Sequence, residues 1–443
     1  MMTLNRLMRA IFVAIVISWG VVTHAQRLVV NSDHADGVYK AEETARWSIH
    51  WYGEGETVDT CTFVTRAGGK TEISKGNIVF ANGYATLETQ LKTPNTVLLE
   101  VRVKTKNGGE YRAQGGVVFS PDKVTPSSKR PKDFDAFWKA KIKELNAVPA
   151  HPVLEVGESN KPNIAYWKIK MDNIRGTHIQ GQVARPIEGK KFPALLIVQW
   201  AGVYGLSKPW VTDRASEGWL VLNIEAHDLP IDQPQEFYRE QSAGALRDYP
   251  AIGNDDRETS YFLRMYLSCY RAAQYLTERA DWDGKTLVVM GGSQGGQQTL
   301  VTAGIHPQIT AALASVPAGC DMLGPDAGRD PGWPKWYYWT KGRDETRVRE
   351  ASRYFDVVNF ASRIRCPVLV GIGLIDQTCP PAGILAAMNQ VKGAKEIILL
   401  PRGEHNDRND AHGVYNRRCY GDWLTALRQG KPAPIEGVMA LEE

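Results

Sequence analysis

The chain has 443 residues, with 53 Lys+Arg against 49 Asp+Glu, 43% hydrophobic residues and 23% charged residues. That length holds two or three domains with ample core, and that balance excludes wholesale disorder. A formal net charge of +4 without a basic run gives no reason to propose nucleic acid as a partner.

Arg6 and Arg9 precede an apolar stretch from Ala10 to Val22, which closes on Val22-Thr23-His24-Ala25. A charged start, a short apolar run and a small residue at its end have the form of a secretory signal peptide over residues 1–25, with cleavage expected after Ala25. The run falls short of the ~20 residues that a helix needs to cross a bilayer. The expectation is therefore an exported protein, secreted or periplasmic, without a permanent membrane span. Cys61, Cys269, Cys320, Cys366, Cys379 and Cys419 are scattered, with no CxxC pair and no Cys/His cluster at metal-ligand spacing. They read as buried free thiols, and no metal is expected.

From residue 26 to about 120, short alternating segments are separated by Gly and Asn: Ala45–Trp51, Thr60–Thr65, Asn77–Phe80, Tyr84–Gln90 and Thr96–Thr105. Such segments predict a small antiparallel β-sandwich of Ig-like type. The polar stretch 121–130 carries two prolines and reads as a linker. The period then changes. Asp133–Leu145 places Phe134, Phe137, Trp138 and Ile142 on one helical face behind an expected Asp133 N-cap.

Short continuous apolar runs follow at Ala194–Gln199, Leu220–Ile224, Thr286–Met290, Val368–Ile372 and Glu396–Leu400, separated by helical patterns such as Tyr261–Arg279. This alternation predicts a three-layer α/β domain over residues 131–430 with a mostly parallel sheet. Residues 431–443 read as a C-terminal tail. The 13 Trp and 17 Tyr fit either carbohydrate-facing surfaces or a large β-rich core.

Gly291-Gly292-Ser293-Gln294-Gly295 stands between the Thr286–Met290 run and a helical segment. Gly-x-Ser-x-Gly in that setting is a nucleophile elbow, where small neighbours let strand and helix approach while the hydroxyl projects. The serine needs a base, and the base an orienting carboxylate, in the chain order Ser, acid, His. Asp376 follows the Val368–Ile372 run, and His405 follows the Glu396–Leu400 run. Both fall at the carboxyl edge of a parallel sheet, where such sheets carry their chemistry. His412 is the rival base, seven residues further on; His178, His227 and His306 are out of the required order. The oxyanion hole needs two backbone donors. Gln294 N–H is the first, and Val203 N–H, in the loop Trp200–Gly205, is chosen as the second. The insertion Asp228–Asn254 either shapes the acyl or sugar pocket or is a surface loop.

These residues resemble the acetyl xylan esterase and cephalosporin-C deacetylase group of α/β-hydrolases over about residues 131–425. The resemblance is carried by Asp133–Trp138, Tyr261–Leu276, Gly291–Gly296, Val316–Asp321, Tyr354–Asn359, Cys366-Pro367-Val368 and Gly371–Pro381. It implies an α/β-hydrolase fold, Ser293, Asp376 and His405 as the triad, and an esterase that removes O-acetyl groups from plant-polysaccharide sugars without a cofactor. The implied partner is an acetylated saccharide. Two places depart from the group: Ala201-Gly202-Val203 stands where its members often carry His-Gly-Tyr, and Ala226–Pro230 where they carry Arg-Gly-Gln. Two other readings are a prolyl-oligopeptidase-like serine peptidase, for which the front region is too small to be a propeller, and an inactive carbohydrate-binding scaffold.

Overall fold

The computed structural model describes residues 27–436 except 54 and 409, together with the backbone of 439–440. The expected signal peptide lies outside the described residues.

The front region forms eight strands: β1 (Leu28–Ser32), β2 (Val38–Tyr39), β3 (Thr44–Trp51), β4 (Val58–Ala67), β5 (Thr71–Asn77), β6 (Tyr84–Gln90), β7 (Asn95–Thr105) and β8 (Glu110–Phe119). They make two sheets, in the orders β1-β3-β6 and β2-β8-β7-β4-β5. Alternate residues face inward, as a period of two requires. Ala45, Trp47 and Ile49 of β3 meet Val97, Leu99, Val101 and Val103 of β7 in one core. The strand expected at Asn77–Phe80 lies earlier, in β5. That strand is solvent-exposed along nearly its whole length and is held by backbone pairing with β4, so it carries no apolar signature.

The back region is a ten-stranded sheet of β9 (Val153–Gly157), β10 (Ile164–Asp172), β11 (His178–Pro186), β12 (Phe192–Ile197), β13 (Leu220–Ile224), β14 (Trp282–Gly292), β15 (Ala311–Ser315), β16 (Val368–Gly373), β17 (Lys395–Leu400) and β18 (Met439–Ala440). Its order is β18-β17-β16-β15-β14-β12-β13-β11-β10-β9. Neighbours from β18 through β13 run parallel, and β11, β10 and β9 add antiparallel at one edge.

The continuous apolar runs are explained by what covers each face. Leu196, Leu222, Val289, Ala314 and Val370 point into one core, together with Phe262 and Leu263 of the helix Tyr261–Glu278 and Leu300 of the helix Gln294–Ile305. Leu195, Val221, Val288, Leu313 and Leu369 point into the other, against Val211 and Ala215 of the helix Pro209–Ser216 and Leu424 of the helix Leu424–Arg428. Strands buried on both faces have no polar side to show.

The helix Phe134–Asn146 buries Phe134, Phe137 and Trp138. Asp133 stands at its N-cap position, but its carboxylate does not cap the helix. It accepts from Tyr354 Oη at 2.5 Å and from Arg257 Nη1 at 2.7 Å. The C-terminal stretch is also tied down where it is described. Arg418 Nη2 donates to the Pro434 carbonyl at 2.6 Å, Ala433 and Ile435 pack on the second core, and β18 extends the sheet.

The segment 121–130 is pinned rather than free. Asn389 Nδ2 donates to the carbonyls of Pro121 and Val124, Arg329 Nη2 to that of Thr125, and Ser127 donates twice to Asp321 Oδ1. The front sheets touch the back region directly. Thr71 Oγ1 donates to the Gly328 carbonyl at 2.8 Å, Asp330 N–H to the Gly68 carbonyl at 2.8 Å, and Lys70 Nζ to Tyr338 Oη at 2.8 Å. Gly116 of β8 lies so close to Leu374 that a Cβ there would overlap the Leu374 carbonyl. Gly116→Ala should therefore destabilise the protein by about 1–3 kcal/mol, the usual cost of overpacking a filled contact. Thermal unfolding of the purified variant checks this; an unchanged midpoint would mean that the two regions are not in contact in solution.

Candidate active site

β14 runs into a turn at Ser293, which has φ 55° and ψ −120°, a conformation that costs a non-glycine residue about 1–3 kcal/mol. Backbone hydrogen bonds hold it there. Ser293 N–H donates to the Ser315 carbonyl at 2.9 Å, and the Ser293 carbonyl accepts from Gln297 N–H at 3.0 Å and Ala318 N–H at 2.9 Å. The flanking glycines are a packing requirement. A Cβ on Gly291 would stand 2.7 Å from the Val198 carbonyl, and one on Gly295 2.6 Å from the same oxygen.

Ser293 Oγ lies 2.9 Å from His405 Nε2, and His405 Nδ1 lies 2.8 Å from Asp376 Oδ2. With Nδ1 protonated and donating to the carboxylate, Nε2 is free to accept the serine proton. Asp376 is buried, and its other oxygen accepts from Thr378 N–H and Cys379 N–H, each at 2.8 Å. The loops that carry Asp376 and His405 are stitched together: Leu374 N–H donates to the Leu400 carbonyl at 2.9 Å and Ile375 N–H to the Gly403 carbonyl at 3.2 Å. Trp333 N–H reaches the Thr378 carbonyl at 3.0 Å, while its carbonyl accepts from Gly319 N–H at 2.7 Å. The loop beneath the front sheets is thus tied to the acid loop.

His412 is not in this chain. Its Nε2 lies 2.8 Å from the Glu404 carbonyl, so it braces the loop next to His405. Gln294 N–H, at the first position of its helix, has no partner within that helix, and Val203 sits on the neighbouring loop after β12. Asp376, Cys379 and His405 offer donor atoms within 4.8 Å of one another. Two of them are already bonded to each other, and burial pushes the Cys379 thiol well above its usual range. The trio therefore reads as triad and packing rather than a metal site. All six cysteines are buried and unpaired.

Several participants escaped the sequence reading. His227 Nε2 lies 2.9 Å from the Gly202 carbonyl, and its Nδ1 2.7 Å from Tyr261 Oη. Tyr249, from the insertion Asp228–Asn254, donates to Gln294 Oε1 at 2.6 Å. The insertion thus reaches the site. A cavity of about 380 Å³ beside the elbow is bounded by Gly291, Gly292, Trp200, Trp210 and Tyr415. A second cavity of about 480 Å³ lies behind Tyr261 and Arg264; neither is lined by Ser293, Asp376 or His405, and the smaller one includes Gly291 and Gly292, which precede Ser293.

The family described as acetyl xylan esterase (AXE1) matches residues 122–424. The acetyl esterase Axe7A of Xylanibacter ruminicola is 33% identical over 380 residues, which cover 84% of this chain and 85% of that protein. An acetyl xylan esterase from Paenibacillus sp. R4 superposes with a TM-score of 0.57 at 27% identity, over 67% of this chain and 96% of its own. Acetyl xylan esterase 1 from Thermoanaerobacterium sp. JW/SL YS485 shares the fold, with a TM-score of 0.58 at 22% identity over 67% of this chain and 96% of its own.

The geometry orders the expected mutational losses. Ser293→Ala and His405→Ala should each lower kcat on an aryl acetate by about 10³–10⁶, since the two act as a unit. Asp376→Asn should lose as much or less, because it misorients the imidazole. His412→Ala, which acts only through the loop, should lose about tenfold or less. Steady-state kinetics of the four variants, with circular dichroism for folding, reads this directly, and a folded, active Ser293→Ala would exclude Ser293 as nucleophile.

Burial pushes the imidazoles of His227 and His306 down from 6.5 to about 4. The unfolded chain then binds more protons than the folded one between those values. Stability from both groups is complete above about pH 6.5 and is lost as pH falls toward about 4. Denaturant midpoints should fall between about pH 7 and about pH 5, and fall less in His306→Gln, which lacks one of the two titrations. An equal fall in variant and parent would rule out His306 as a contributor.

Proposed function

The chain belongs to the acetyl xylan esterase family and is a carboxylic ester hydrolase, and from that premise we propose that it is an exported serine esterase that removes O-acetyl groups from plant-polysaccharide sugars. The observation that carries the mechanism is the unbroken run of short contacts from Ser293 Oγ through His405 to Asp376. Ser293 Oγ adds to the acetyl carbonyl carbon while its proton passes to His405 Nε2. The charge on the carbonyl oxygen is taken by the N–H groups of Gln294 and Val203, and Asp376 stabilises the imidazolium. Collapse breaks the bond to the sugar oxygen, which leaves with the proton from His405. Water then adds to the acetyl-serine, gives its proton to the same nitrogen, and acetate departs as the serine is reprotonated.

The saccharide side of the reading is supported by aromatic rings at the mouth of the oxyanion loop. Trp200 is 45% exposed, stacks on Tyr204 with ring centroids 5.4 Å apart and meets Trp210 edge-on at 5.1 Å. A flat apolar surface of this kind suits the face of a pyranose ring. Export rests on the pattern Arg6–Ala25. Residues 26–120 with the segment 121–130 are read as a brace to the hydrolase region 131–430.

A pocket closed by bulky residues would exclude long acyl chains more strongly than the ~1–3 kcal/mol of a single methylene. p-Nitrophenyl acetate should therefore be cleaved far faster than the octanoate, and acetate should be released from acetylated xylo-oligosaccharides. Trp200→Ala should raise KM several-fold on the oligosaccharide and leave p-nitrophenyl acetate nearly unaffected. Equal rates on both acyl lengths would move the reading to a general esterase, and cleavage of a peptide amide in preference to acetate to a peptidase.

A further inference from the structure

The loop after β12 has few backbone bonds of its own. Val198 N–H donates to the Met290 carbonyl and Leu206 N–H to the Ile231 carbonyl, and between them Gly202 is held at both ends by side chains from elsewhere. Its N–H donates to Tyr249 Oη at 3.3 Å, and its carbonyl lies 2.9 Å from His227 Nε2. A carbonyl cannot donate, so Nε2 carries the proton. Nδ1 then accepts from Tyr261 Oη at 2.7 Å, which fixes the tautomer. His227 is fully buried, and burial keeps the ring neutral, in the form that can make both contacts. Tyr249 in turn donates to Gln294 Oε1 at 2.6 Å, and Gln298 Nε2 donates to the Gln199 carbonyl at 2.9 Å. One polar cluster therefore joins the helix that supplies the first oxyanion donor to the loop that supplies the second.

The Gly202 carbonyl and the Val203 N–H belong to one peptide unit. That unit is planar and trans, so its C=O and N–H point in opposite directions. A donor that fixes the Gly202 oxygen also fixes where the Val203 N–H points, and it polarises the unit so that this N–H becomes a stronger donor. Gly202 has φ 128°, one of many conformations open to glycine, so its own backbone freedom does not select this orientation.

We propose that His227, acting through the Gly202–Val203 peptide and oriented by Tyr261, is the positioning residue of the oxyanion hole. The proposal rests on the reading that Val203 N–H binds the oxyanion. His227 touches no reacting atom. Its contribution is confined to states in which negative charge has reached the carbonyl oxygen, so it raises kcat and leaves ester binding alone.

The test compares His227→Leu, which fills similar space without a donor, with His227→Gln, whose amide nitrogen can reach the Gly202 carbonyl. Tyr261→Phe keeps the imidazole and removes only the group that sets its tautomer. Each is assayed on p-nitrophenyl acetate for kcat and KM, and for inhibition by an aryl trifluoromethyl ketone. Ser293 Oγ adds to that ketone carbon and gives its proton to His405, and the carbonyl oxygen becomes an oxyanion. A full oxyanion-hole donor is worth about 10²–10³ in kcat, so its misdirection should cost about 10–100-fold.

His227→Leu should lose that much in kcat with KM within about twofold, bind the ketone more weakly by a similar factor, and be largely restored in His227→Gln. A loss confined to KM, an unchanged kcat in a folded variant, or a lost kcat with unchanged ketone affinity overturns the proposal. If His227→Leu does not fold, Tyr261→Phe decides: a kcat loss of about threefold or more with matching ketone weakening supports it, and no change overturns it. Ser293→Ala is run beside them. Activity in that variant overturns the serine-esterase reading itself, whereas an inactive Ser293→Ala with an unaffected His227→Leu overturns only the positioning role.

Discussion

A close backbone approach beside Ser293 constrains the elements around it. The Val198 carbonyl, just past β12, lies against both Gly291, the penultimate residue of β14, and Gly295, in the first turn of the helix Gln294–Ile305. Three chain segments meet there with no side chain between them. Ser293 follows β14 and the loop carrying Val203 follows β12, so this contact bears on the spacing between the two segments. Any Cβ inserted at 291 or 295 pushes β12 outward and takes the loop with it.

Asp376 and His405 are governed by a different balance. A buried carboxylate is costly unless its oxygens are satisfied. Asp376 has three donors, two from the turn that follows it and one from His405. The turn Asp376–Cys379 therefore does two things at once: it stabilises the charge and aims it. His405 remains partly exposed, with 19% of its side chain open, which leaves room for ester and water at Nε2.

Legibility followed the same physics. The parallel strands stood out because burial on both faces leaves uninterrupted apolar runs, and the meeting of Ser293, His405 and Asp376 could be expected because loop position and chain order constrain it. β15 (Ala311-Ala312-Leu313-Ala314-Ser315) was not read because alanines carry no strand signal. β9 to β11 were not read because none is a continuous apolar run; in β10 and β11 Lys and Gln alternate with apolar residues. β5 was misplaced for want of any buried side. His227 and Tyr249 were beyond reach of the sequence for another reason. Their contacts come from the stretch after β13 folding onto Gly202 in the loop after β12, and nothing in local spacing records such a meeting. The departure at Ala226–Pro230 was the one hint, since it placed a histidine at a strand end where the resembled group has none.

The grip of the front sheets on the back region bears on the order of events during synthesis. Gly116 and the turn at Gly68–Thr71 are translated long before Leu374, Gly328 and Tyr338, the residues they receive. Domains that emerge first tend to fold first. On that order the front sheets would be formed first, and the loop carrying Leu374 and Asp376 would dock onto a surface already in place. A chain permuted to release the sheets last would have to assemble Asp376 and His405 without that mould.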